Sequence, residues 1–212
     1  MKEAFILDYG CGNFSSLRGW LKRQNIASWL VSTPDELLSL GSSDMLIFPG
    51  VGHFSVASHS LHDLNLIEAL DSLRGRVPIL GICLGFQLMF EGSMESPADK
   101  GLGWFPGKCL HLPTASSPRI GWYNTSVFNN HAELCPQRHK FFNENFYSFY
   151  YNHTFYVDKP IANAPCLFGS DNIIAGVITD DLIAGFQFHP ERSQRAGESL
   201  LRALILLWED AT

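Results

Sequence analysis

Cys83 stands between two glycines in "PILGICLGFQLMF" (78–90), directly after an apolar run. Glycine costs conformational entropy inside regular structure, so a pair of them around one thiol asks for a backbone reason. G-x-C-x-G has the spacing of a nucleophile elbow, in which the nucleophile tops a strand and opens a helix. Gly81 and Gly85 would leave room for the tight turn and for close helix–strand packing. A helix opening at Leu84 would point free N–H groups and a positive dipole end at the sulfur, which favours thiolate, the reactive form. The N–H of Leu84 would then be one oxyanion-hole donor. A buried structural cysteine fits the same residues, because cysteine is among the most buried residue types. The elbow alone leaves both readings open.

An attacking thiol needs a base, and "GFQFHPERS" (185–193) supplies one. The run "IAGFQF" reads as a strand leading into His189, and strand ends in open α/β sheets are where ligands bind. Pro190 stops the strand, so Glu191 can fold back towards the imidazole, orient it and stabilise its charged form. Each motif needs what the other provides, which makes Cys83, His189 and Glu191 a candidate triad for attack on an acyl carbon. In "FPGVGHF" (48–54), two glycines after a buried strand can turn a backbone N–H towards a neighbouring strand end and complete an oxyanion hole. An ordinary β-turn is the other reading of that stretch.

The elements that must position these groups follow a βαβα rhythm. "AFILDYG" (4–10), "ASWLV" (27–31), "DMLIFPG" (44–50) and "VPILGI" (77–82) read as strands, with helices over 15–24 and 60–76. Continuous apolar strands of this kind imply a parallel sheet covered on both faces. After residue 105 the texture changes. "KCLHL", "TSVF", "NFYSFYYNHTFYV", "IIAGVIT" and "DLIAGFQF" are strand-like and joined by short connections, so antiparallel additions are expected. A final helix covers roughly 194–208, and "PTASSP" (113–118) reads as an exposed loop. Without repeats or a linker, residues 1–212 read as a single domain.

Composition narrows the function classes. Hydrophobic residues make up 46% of the 212 and charged residues 17%, enough apolar material for a core. The net charge of −6 without a Lys/Arg cluster disfavours nucleic acid or an anionic membrane as the main partner. The five cysteines form no CxxC pair and fit neither a disulfide framework nor a zinc site. A reducing cytoplasm is the expected compartment. No apolar run has the length of a membrane span, and the N-terminal one is too short for a signal peptide. The chemistry calls for no metal and no cofactor.

These pieces, in this order, resemble the class I glutamine amidotransferases. "LDYGCGNFSSL", "GICLGFQLMFEGS", "GLGWFPGKCLHL", "RIGWYNTSV" and "NHTFY" extend the likeness over essentially the whole chain. Within the family they are similar to the branch formed by glutaminase subunits of imidazole glycerol phosphate synthases, in histidine biosynthesis. The resemblance implies a flavodoxin-like α/β fold with a mixed central sheet, and hydrolysis of the glutamine side-chain amide through a cysteinyl thioester. By position it makes Cys83 the nucleophile, His189 the base and then acid, and Glu191 its orienting partner. It puts Gly52 and Leu84 at the oxyanion hole, and Gln87, Thr154 and Phe155 on the glutamine backbone groups.

The resemblance also implies a (β/α)8-barrel cyclase as partner in a heterodimer, receiving ammonia directly and making imidazole glycerol phosphate and AICAR. Asn13, Arg119, Trp122, Tyr150 and Arg192 are the residues it would place on the docking face. The branch usually reads P-H-x-G-W-N where this chain has "PRIGWYN", and Lys where it has Arg192. Those differences motivate an alternative, a paralogous glutaminase feeding a different barrel-type synthase such as a sugar-amidinating enzyme.

Overall fold

The computed structural model describes residues 3–128, 146–157, 166–171 and 173–211. Five parallel strands form the first half of the main sheet: β1 (Glu3–Leu7), β2 (Ala27–Val31), β3 (Asp44–Phe48), β4 (Ile79–Ile82) and β13 (Ile183–Phe186). They run side by side in the order β2-β1-β3-β4-β13, the 2-1-3-4-5 order of flavodoxin-like sheets. Every residue of β4 and β13 is buried, as is all of β3 after Asp44, which explains their unbroken apolar runs. The strand β12 (Ile173–Ile178) then adds antiparallel to β13, followed by β11 (Cys166–Ser170), β8 (Arg119–Phe128) and β9 (Phe146–His153). The mixed central sheet expected from the sequence is present.

Helices cover both faces. Asn13 caps α1 (Phe14–Arg23) by accepting the Ser16 N–H at 3.2 Å, and Lys22 and Arg23 sit at its negative dipole end. Leu17, Trp20 and Leu21 of α1 share one core with Leu200, Leu201, Leu204 and Trp208 of the last helix, α6 (Gln194–Ala211). The opposite face carries α2 (Pro34–Leu38), closed by a Thr33–Glu36 capping box, then α3 (Phe54–Asp63) and α4 (Ile67–Leu73).

The single helix expected over 60–76 is therefore two. The chain breaks at Leu64–Leu66, where Asn65 takes φ 55°. Asparagine tolerates that left-handed conformation, and Leu61, Leu66, Leu70 and Leu73 still enter one core. The leucine period survives the break because both helices lie on the same side of the sheet.

A second, four-stranded sheet escaped the sequence reading in part. It runs in the order β10 (Phe155–Tyr156), β7 (Phe105–His111), β5 (Phe90–Ser93), β6 (Ser96–Lys100). Only β7 and β10 have apolar runs that signal a strand; "FEGS" and "SPADK" do not. The stretch 113–118 is exposed as expected, apart from a half-buried Ser117 and a single 3₁₀ turn over Thr114–Ser116.

The last helix lies hard against the turn that follows β13. A Cβ built on Gly197 would fall 1.8 Å from the carbonyl oxygen of Pro190, so the backbones touch where no side chain fits. Gly197→Ala is expected to destabilise the fold by roughly 2 kcal/mol or more. Gly19→Ala, in α1 with only the Arg23 side chain at 3.7 Å, should instead be neutral or stabilising by about 0.5–1 kcal/mol. Urea midpoints of the two variants against the parent check both signs.

Candidate active site

The turn between β4 and the short helix α5 (Leu84–Leu88) presents Cys83. Its backbone takes φ 54° and ψ −108°, a conformation that costs a non-glycine residue on the order of 1–3 kcal/mol. The strain is held by a hydrogen bond from the Cys83 N–H to the Phe186 carbonyl, 2.7 Å, at the end of β13. Both flanking glycines permit close approach. A Cβ on Gly81 would meet Met89 Cε at 2.6 Å, and one on Gly85 would sit 2.0 Å from the Phe48 carbonyl oxygen. The glycine spacing therefore reflects an elbow in the backbone.

After β13 the chain continues through Gln187 and Phe188 to His189, whose N–H donates to the Tyr150 carbonyl at 2.8 Å. Pro190 opens a 3₁₀ turn over Pro190–Arg192, and that turn swings Glu191 back. Glu191 Oε1 accepts from His189 Nδ1 at 2.9 Å, with both side chains buried. A carboxylate only accepts, so Nδ1 carries the proton and Nε2 is left for a partner other than Glu191. Burial pushes the imidazole towards its neutral form. The Cys83 charge and hydrogen bond, then Glu191, outweigh it and raise the His189 pKa to about 10. The ring is poised to hold a proton in the site.

A cavity of about 230 Å³ opens over the sulfur. Gly52, Leu84, Gln87, Thr154 and Phe155 all line it with Cys83 and His189, so every expected oxyanion and glutamine-binding position converges there. Gly52 has φ 122° and open space where a side chain would be.

Three residues at or beneath the cavity are absent from the sequence reading. Glu95, at its mouth, accepts the Phe54 N–H at 2.8 Å; nothing in "FEGSMES" distinguishes it from Glu91. His153 is buried, and its Nδ1 donates to the Phe155 carbonyl at 2.8 Å, leaving Nε2 without a partner. Burial drives the His153 pKa down to about 4 against that hydrogen bond, helped by the charges of Arg119 and His189. Gln187, fully buried beneath the site, donates to Cys83 Sγ at 3.7 Å. The "NHTFY" and "GFQFHPERS" motifs contain His153 and Gln187, but without side-chain directions neither could be picked out.

The residues expected at a partner face divide. Trp122 is 47% exposed and its ring lies 6.0 Å from that of Tyr150; the Arg192 guanidinium stacks 4.0 Å over Tyr150. Asn13 is exposed at the start of α1, which packs against the turn carrying Arg192. Arg119 corrects the expectation. Its side chain is only 5% exposed, sandwiched by Tyr123 and Tyr151 at 3.8 and 4.9 Å and bonded to Ser170 and Asp171. Side chains alternate along β8, so Ile120 and Trp122 face out while Arg119 and Thr125 face in.

The family model for class-I glutamine amidotransferases matches residues 5–206. A protein of Methanopyrus kandleri named imidazole glycerol phosphate synthase subunit HisH is 34% identical over 208 residues, covering 97% of this chain and 98% of that one. The protein of the same name from Prochlorococcus marinus is 37% identical over 203 residues, covering 92% and 90%. Among solved structures, PurLQS from Thermotoga maritima aligns with TM-score 0.71 at 21% identity, covering 98% of this chain and 99% of that one. A structure titled glutamine amidotransferase aligns with TM-score 0.73 at 13% identity, covering 97% and 98%. A nucleophile elbow joined to a buried histidine–glutamate pair, on a sheet of this order and with a family match over nearly its full length, means that the chain belongs to the class-I glutamine amidotransferases.

Proposed function

We propose that this chain is the glutaminase subunit of an imidazole glycerol phosphate synthase, acting through Cys83, His189 and Glu191. The observation that carries the reading is the hydrogen-bonded pair of His189 and Glu191 set beside Cys83, with His189 and Cys83 lining one cavity that also collects Gly52, Leu84 and Gln87. The sulfur attacks the side-chain amide carbon of glutamine, forming the C–S bond. The developing oxyanion is met by the Leu84 N–H and an N–H near Gly52. The C–N bond then breaks, and His189 gives its proton to the leaving ammonia. Water, deprotonated by His189, attacks the thioester; the C–S bond breaks, and glutamate and the thiolate are released.

Gln87, Thr154 and Phe155 hold the α-amino and α-carboxylate groups, and Glu95 at the cavity mouth offers an anionic partner for the α-ammonium. Fixing that end measures side-chain length, so asparagine would not reach the sulfur. Free ammonia is mostly protonated at neutral pH and then not nucleophilic, so its acceptor must receive it directly. The relatives named as synthase subunits support a barrel cyclase in that place. The cluster of exposed Trp122 and Arg192 around half-buried Tyr150, which is bridged directly to His189, is the surface that would meet it.

Glutamate release from glutamine, measured with and without the barrel cyclase of an imidazole glycerol phosphate synthase and its substrate, tests both halves. Strong stimulation is expected, and Cys83→Ala should lower the stimulated rate by at least about 10³-fold. An unstimulated protein whose Cys83 still reacts with a glutamine-analogue electrophile would point to a different barrel-type synthase as partner.

The same pocket sets an acid limit. Below pH 6.5 the unfolded chain protonates His153, while the folded chain resists until about pH 4. The unfolded state binds more protons across that window, so stability falls as pH drops through it, by about 3 kcal/mol from this group. The raised His189 pKa acts at the other end: its contribution is complete below 6.5 and is lost as pH rises towards 10. Urea midpoints at pH 6.5 and 4.5 should therefore diverge in the parent and converge in His153→Gln.

A further inference from the structure

The orientation of two buried amides is settled by a single backbone carbonyl. Phe155 O can only accept, and it lies 2.9 Å from one end of the Gln87 side chain, so that end is Nε2. The same Nε2 lies 3.0 Å from Gln187, which must present its oxygen there. The other end of the Gln187 amide is then Nε2, pointing at Cys83 Sγ at 3.7 Å. Gln187 is fully buried and its own N–H is bound to the Ala175 carbonyl, so the side chain is held from both ends.

We propose that Gln187 is a second catalytic donor to the Cys83 sulfur, aimed by a relay that runs from the Phe155 carbonyl through Gln87. The proposal rests on the glutaminase reading and deepens it. When protonated, the thiol has an acceptor in the Asn152 carbonyl at 3.9 Å; when ionised, the sulfur has donors in His189 and Gln187. Gln187 therefore favours the thiolate. A thioester sulfur is a poor acceptor, so the Gln187 bond weakens once the glutamyl group is attached. It strengthens again as the C–S bond breaks and the electron pair returns to sulfur. The donor accordingly acts on both attack and deacylation. Because the relay starts in the Thr154–Phe155 segment that lines the cavity, the aim of the donor is tied to the segment that grips the substrate.

The titratable groups around the sulfur are His189 with Glu191 behind it, Tyr9 just beyond β1, and Glu95 and His153 on the same cavity. Substitution at 187 leaves all of them in place. The test is the pH–rate profile for alkylation of Cys83 by iodoacetamide in the full chain, with the rate of Cys83→Ala subtracted for the other cysteines. Gln187→Met, close in length and unable to donate, should move the profile to higher pH and slow alkylation at neutral pH about three- to tenfold. Gln187→Glu keeps an acceptor for Gln87 and removes the amide donor, and should slow it at least as much; it serves if the methionine variant does not fold.

In the complex with the cyclase, Gln187→Met should lower kcat with little change in the glutamine KM. Wild-type alkylation profiles in the folded variants would overturn the proposal, as would a lower kcat without a shifted profile. Alkylation does not involve glutamine, so a parent protein that fails to release glutamate would count against the glutaminase reading and leave Gln187 to be judged separately.

Discussion

The parallel pairing of β4 with β13 is the constraint on which the site depends. Its register sets Ile82 opposite Phe186, so the next residues of both strands leave the sheet together at the same end. The Cys83 N–H reaches across to Phe186 O and holds the cysteine in its left-handed conformation. One hydrogen bond, worth about 1 kcal/mol net, does not offset the strain alone. Two buried strands and a helix with glycine at its contact point over-determine the turn. The cost of the strained residue is thus spread over the fold, and what it achieves is a buried cysteine that lines one cavity with His189.

Electrostatics follow from that placement. A histidine and a glutamate in contact, both nearly inaccessible to water, would be a poor source of stability by themselves. Here the residue is tied through its backbone N–H to Tyr150, its carbonyl accepts the Ser193 hydroxyl, and its ring shares the cavity with Cys83. Buried polar atoms left without a protein partner gather close by: Glu191 Oε2, His153 Nε2 and Arg119 Nε. Native interiors satisfy most such atoms, and exceptions concentrate where a protein gives up stability for chemistry.

The antiparallel half of the sheet divides two duties between its faces. Along β8 and β9, inward residues such as Arg119, Thr125, Tyr151 and His153 build a buried polar layer behind the cavity, while Ile120, Trp122 and Tyr150 look outward. Tyr150 joins the faces, because its carbonyl binds the His189 N–H and its ring carries Arg192. A molecule that pressed on the Tyr150–Arg192 stack would act on the backbone of His189, through its N–H bond to the Tyr150 carbonyl.

By itself the sequence determined the parts whose physics is local. The apolar runs of β1, β3, β4 and β13 announce buried parallel strands, the G-x-C-x-G spacing announces the elbow, and Pro190 announces the turn that returns Glu191. Where a signal depended on which way a side chain points, the sequence was silent or misleading. Arg119 read as a surface residue and is buried, because its parity on β8 is opposite to that of Trp122. The 60–76 helix read as continuous, because a leucine period does not register one asparagine in a left-handed conformation. Glu95, His153 and Gln187 carried no local signal. They come together only after the turn before β6, the end of β9 and the residue following β13, far apart in the chain, have been brought around one cavity, and that convergence is a property of sheet order and register.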